Sequence, residues 1–287
     1  MSAQWMVDGE SQYDMFAWDV ARFGNWADKA FTKARVGDQY AKRFAIHFPN
    51  EEREAGRPVR MRPIHALQQA LGGVFGLNYG WEHVQWFADA PGAKDTNGFT
   101  RQNWFEPVGR ECRMLRENAG IIDISNFAKY RVRGPKAADW LNAIFANDMP
   151  KAVGRSCLTL LIGVRGGIAG DFTVTRLADD EFMVIGSGMA ERYHQRFWNM
   201  VPMPEGMSFE SLTEAMCGFN VAGPKSRELL QRLTNTSLAT ADFPFMRSQW
   251  IELAGVDCLA LRVSFTGDLG WELHCSTEDQ LRLYQAL

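Results

Sequence analysis

The passage RVRGPKAADWLNAIF (131–145) has a counterpart later in the chain, FNVAGPKSRELLQRL (219–233). Each reads as a strand, a Gly-Pro turn and a helix, with Pro135 and Pro224 at the same place. Proline suits a helix start because its missing N–H would be unpaired there in any case. Further strands and another helix follow each copy. A chain that says the same thing twice in this way is held to an α+β domain with internal duplication.

The 287 residues are enough for one large or two ordinary domains, and 46% hydrophobic with 23% charged residues is an ordinary globular composition. A net charge of −3 argues against a general nucleic-acid binder. No apolar run reaches the ~20 residues of a membrane helix, and the N-terminus lacks the basic-then-apolar pattern of a secretory signal. Together these give the expectation of a cytoplasmic protein, or a mitochondrial matrix one in a eukaryote. The cysteines at 112, 157, 217, 258 and 275 form no CxxC, and the histidines at 47, 65, 83, 194 and 274 form no HExxH. Reduced, buried cysteines and no metal site are expected.

In chain order, Asp28–Lys42 reads as a polar-faced helix and Phe44–Phe48 as a short strand closed by Pro49. Ile64–Leu71 reads as a short helix ended at Gly72-Gly73, and residues 88–103 as an exposed loop. Pro107 opens a helix with Val108, Cys112 and Leu115 on one face and Gly120 as its C-cap. A strand over Ile121–Ile124 then returns through Tyr130–Val132. Leu158–Val164 is a strand entering a glycine-rich turn, and Phe172–Arg176 is the strand leaving it, with Asp171 at its head. A second glycine-rich hairpin, SFTGDLGWELH, carries Glu272 beside Trp271. The junction VIGSGMAER begins like a dinucleotide fingerprint, but Glu191 stands at the third glycine position, so a tight strand-to-helix turn is expected. Taken alone, Asp171 is a turn residue, Glu272 an outward charge on a strand and Phe265 plain core.

Four collinear stretches carry a family resemblance: QNWFEPVGRECR, DISNFAKYRVRGP, RGGIAGDFTVTRL and RVSFTGDLGWELH. They resemble the folate-binding half of the dimethylglycine and sarcosine dehydrogenases, which is similar to the T-protein (aminomethyltransferase) of the glycine cleavage system. AIHFPNEEREAGRPVR and GVFGLNYGWEHVQWF resemble the tail of the flavin module and the connector of those dehydrogenases. The resemblance implies a T-protein-like fold and three parts: 1–48 from the flavin oxidoreductase tail, 49–103 a connector, and 104–287 a truncated folate-binding domain. The FAD-binding module would precede Met1, and a small β-barrel would follow Leu287.

It also implies a function. A flavin oxidises an N-methyl amino acid, and tetrahydrofolate takes up the one-carbon unit as methylene-tetrahydrofolate. By resemblance Asp171 is the carboxylate set against the reacting nitrogens, Glu272 binds the pteridine, and Phe265 stacks on it where the family usually has tyrosine. Gly170 stands where T-proteins tend to have a first aspartate, Gly186 stands for an asparagine, and a family arginine would lie beyond Leu287. The implied ligands are tetrahydrofolate and, on the absent module, FAD. The implied partner is a flavoprotein module or subunit, with no nucleic acid and no membrane. Two alternatives are a folate-binding or flavoprotein-partner module without turnover, and an inactive fragment.

Overall fold

The computed structural model describes every residue except Met1, Glu10, Gln12, Asp14, Val164, Arg165 and Phe265. The chain opens with α1 (Ser2–Asp8), two 3-10 turns and α2 (Lys29–Ala41), whose first turn is capped by the Asp28 carboxylate accepting from Phe31 N–H at 2.8 Å. The short helix α3 (His65–Ala70) leads into a hairpin of β1 (Gly73–Asn78) and β2 (Trp81–Phe87). Its two-residue turn, Tyr79-Gly80, has both residues at positive φ, the geometry that matches strand twist. Residues 88–103 form the expected loop, and α4 (Phe105–Glu117) follows.

Next come β3 (Gly120–Asp123), β4 (Ala128–Arg133), α5 (Ala137–Ile144), β5 (Ser156–Ile162), β6 (Ile168–Ala178), β7 (Glu181–Gly186) and α6 (Glu191–Asn199). The second half runs β8 (Ser208–Ser211), β9 (Met216–Ala222), α7 (Ser226–Gln231), β10 (Ser248–Leu253), β11 (Val256–Leu261), β12 (Gly270–Ser276) and α8 (Gln280–Ala286). Both Gly-Pro turns follow their strand with glycine at positive φ, Gly134 at 137° and Gly223 at 117°. Each proline lies in the turn two residues ahead of its helix.

The duplication is written into the sheets. One sheet has the order β5-β6-β7-β4-β8 and the other β10-β11-β12-β9-β3. The first four strands of each correspond one to one. The fifth is exchanged: β3, which leads the first half, pairs antiparallel with β9, and β8, which leads the second half, pairs with β4.

Alternation along the strands makes four layers. Phe172, Val174, Phe182 and Val184 pack under α5 and α6 with Trp140, Leu141 and Trp198. Phe219, Val221, Trp271 and Leu273 pack under α7 and α8 with Leu230 and Leu283. Between the sheets, Met183 and Ile185 meet Leu259, Leu261 and Val263. The outer strands β5 and β10 are joined at their starts, where Ser156 N–H donates to Met246 O and Ser248 N–H to Gly154 O.

Several expectations are corrected. Phe44–Phe48 is turn and loop, with Phe44 and Ile46 exposed and no strand beside them. Gly120 does not cap α4, whose C-cap is Asn118; it opens β3. Of the proposed apolar face of α4, Cys112 is exposed. The strand from Ile121 does not return through Tyr130, because β3 and β4 belong to different sheets. β6 starts at Ile168, so Asp171 lies inside the strand and not at its head.

Candidate active site

The inner faces of the two sheets collect the polar groups of interest. Thr173 and Thr175 lie opposite Ile185 and Met183, which face the inter-sheet layer, and the two-residue period puts Asp171 on the same side. Lys129 lies opposite Ile185 and shares that face. On the other sheet, Glu272 pairs with Leu261 and His274 with Leu259, so both look toward the first sheet. Asp171 and Glu272 therefore project from two facing surfaces, one contributed by each half of the duplication.

Asp171 is exposed, and no hydrogen-bond donor among the described residues reaches its carboxylate. Behind its strand, His194 of α6 is buried against Phe172, with ring centroids 4.6 Å apart, and neither ring nitrogen has a hydrogen-bond partner among the described residues. Burial pushes the His194 imidazole down to about 4, against an opposing pull from the Asp171 charge. A neutral ring in an aromatic box is the result.

Glu272 is half-buried between Leu261 and Asn220 of the adjoining strands. Its Oε2 lies 3.3 Å from His274 Nε2. Burial lowers the pKa of His274; the bond to Glu272 opposes this and the Lys129 charge adds to it. Lys129 is fully buried, donating from Nζ to Ser125 O at 3.0 Å and Phe127 O at 2.9 Å. Burial, helped by the Arg62 charge, lowers its ammonium to about 8, while Cys217, Asp123 and Glu272 resist.

Arg62 ties this region to the N-terminal segment. It donates to Thr213 O, Ser125 O and Glu214 O at 2.8, 3.0 and 3.3 Å. Its guanidinium carbon lies 3.7 Å from the Trp81 ring centroid, and that of Arg60 lies at 3.8 Å. A cavity of about 210 Å³ beside this clamp is lined by Trp26, Tyr79, Trp81, Asn126 and Glu191 among others.

The turn Gly186-Ser187-Gly188 is the expected tight junction: a Cβ at Gly188 would lie 1.8 Å from Asn126 O. Phe265 lies outside the described residues. Sequence reasoning passed over Lys129, Arg62 and the pairing of His274 with Glu272. The spacing of Glu272 and His274, two apart on one strand, was a signal for the last; Lys129 and Arg62 carry none, since sheet assembly buries them. Among the described residues no group of three His, Cys, Asp or Glu could hold a metal ion, and no helix is long and apolar enough to cross a membrane.

A family model described as the GCVT N-terminal domain matches residues 64–287. The chain belongs to that family. A second model, the FAD dependent oxidoreductase central domain, matches residues 8–61 of this GCVT-family chain. The chain is 32% identical over 293 residues to the mitochondrial dimethylglycine dehydrogenase of Homo sapiens, covering 99% of this chain and 33% of that protein. It is 33% identical over 288 residues to the 4-methylaminobutanoate oxidase (formaldehyde-forming) of Paenarthrobacter nicotinovorans, covering 99% and 35%. It is homologous to the dimethylglycine and sarcosine dehydrogenases, and spans about a third of the length of these relatives. The crystal structure of the glycine cleavage system aminomethyltransferase T from Bartonella henselae superposes with a TM-score of 0.65 at 21% identity, over 79% of this chain and 56% of that one, and shows the same fold. The expected α+β, T-protein-like class stands.

Proposed function

We propose that this GCVT-family chain carries tetrahydrofolate-dependent one-carbon transfer as part of a flavin-dependent demethylating dehydrogenase of the dimethylglycine or sarcosine type. The observation that carries the reading is the placement of Asp171 and Glu272 on facing inner surfaces, each with a carboxylate oxygen that no donor of a described residue reaches. Tetrahydrofolate, when bound, supplies the amine nitrogens that receive the carbon. Glu272 keeps one oxygen toward His274 and offers the other to the paired N–H donors along a pteridine edge, where charge-assisted bonds are strong. Asp171, with no donor among the described residues to satisfy it, stabilises positive charge developing on the nearby amine and can accept a proton there.

FAD does not fit this chain's own residues: no GxGxxG follows a strand, and the Gly186–Gly188 turn closes on Asn126 instead of leaving room for a phosphate. The flavin belongs, in this reading, to a partner module or subunit. Support comes from the N-terminal region, where no described residue from 1 to 60 is buried and Met6, Val7, Trp18, Phe44 and Ile46 are largely exposed. The three-part division at 48/49 and 103/104, and a cytoplasmic or matrix location, are part of the same proposal.

The test is calorimetric titration of tetrahydrofolate into the chain and its Asp171→Asn variant, followed by methylene-folate formation with a flavoprotein supplied. Binding by both, with product formed only by the unsubstituted chain, is expected. Absence of binding to either overturns the reading.

A further inference from the structure

We propose that His274 is a positioning residue that pins one oxygen of Glu272, and that Gly218 exists to seat its ring. The inference rests on the folate reading of Glu272 and adds a residue to it. His274 and Glu272 are two apart on β12 and so share the inner face. His274 Nε2 approaches Glu272 Oε2 to 3.3 Å, and the imidazole is only 1% exposed.

The ring's protonation follows from its surroundings. Burial and the Lys129 charge hold the His274 imidazole below its ordinary range, against the pull of Glu272, and so favour the neutral ring with one proton. A carboxylate oxygen only accepts, so that proton belongs on Nε2. Nδ1 is then the bare acceptor, and no described residue donates to it. The cross-strand neighbour of His274 is Gly218. A Cβ there would fall 2.7 Å from Nδ1 and 3.0 Å from Cε1, so any side chain at 218 would displace the ring. Glycine, imidazole and carboxylate form a chain of contacts that ends on the free oxygen of Glu272.

The experiment measures binding of 5-formyltetrahydrofolate, a stable folate, to the full chain and to His274→Leu, His274→Gln and Glu272→Gln. Leucine removes the donor and glutamine restores one. The expected result is about tenfold weaker binding for His274→Leu and near-normal binding for His274→Gln. Equal losses in both would reduce His274 to packing and overturn the proposal, as would equal binding by His274→Leu and the unsubstituted chain. If the unsubstituted chain itself does not bind, the folate reading fails and this proposal falls with it. A second measurement needs neither ligand nor variant: ¹⁵N NMR of the labelled imidazole at neutral pH should show the Nε2–H tautomer. The Nδ1–H tautomer or an imidazolium there would overturn the assignment.

Discussion

The imidazole of His194 occupies the place where a side chain on Gly170 would go: a Cβ at 170 would lie 2.7 Å from His194 Nε2 and 2.8 Å from the Phe172 ring. The absence of a side chain at 170 and the buried histidine are thus one feature, not two. Gly170→Ala should force the ring or Phe172 aside and destabilise the chain by about 1–3 kcal/mol, the usual cost of overpacking. Thermal melting of the variant checks this. An unchanged melting temperature would mean that the aromatic box yields freely.

The same histidine gives stability a pH dependence. Its imidazole titrates near 4 in the folded chain, below the ordinary value of 6.5. As pH falls below 6.5 the unfolded chain takes up a proton that the folded chain refuses, so stability present above 6.5 is lost progressively toward 4. The full loss is roughly 3 kcal/mol. Urea unfolding at pH 7 and pH 5 should show a smaller difference for His194→Leu than for the unsubstituted chain. Some acid sensitivity should persist in that variant, because burial depresses His274 as well.

Arg62 is the clamp between the N-terminal segment and the duplicated domain. Arg62→Met keeps the contact with Trp81 but removes a donor from three carbonyls; Ser125 O keeps Lys129 Nζ and Glu214 O keeps Thr277 Oγ1, so Thr213 O is the one left without a donor among the described residues. A loss of about 1–3 kcal/mol is expected, measured as a lower urea midpoint.

The duplication could be read from the Gly-Pro echoes because it rests on local signals: a turn proline, a helical period and a strand on each side. The exchange of β3 and β8 could not. Ile121–Ile124 and Tyr130–Val132 look like the arms of a hairpin because they are near in sequence, yet each finds its partner in a distant strand. Asp171 and Glu272 were visible through motifs next to glycine-rich turns. Lys129 was not, since a lysine between Ala128 and Tyr130 reads as solvent-facing until a second sheet covers it. The β1–β2 hairpin was missed because aromatics crowd both faces and hide the alternation.

Exchange also predicts how the chain divides. Expressed separately, residues 1–203 and 204–287 each lack a strand that the other holds, and both should be insoluble. Co-expressed, they should copurify as a folded pair, with circular dichroism like that of the intact chain. Independent folding of either piece would contradict the pairing of β3 with β9 and of β8 with β4.

During synthesis the strand exchange imposes a waiting order. β3 leaves the ribosome long before β9 exists to receive it, and β4 meets β7 while its other edge stays bare until β8 is made. The first sheet thus cannot close before the opening strand of the second copy is made, and β3 waits longer still, until β9 follows.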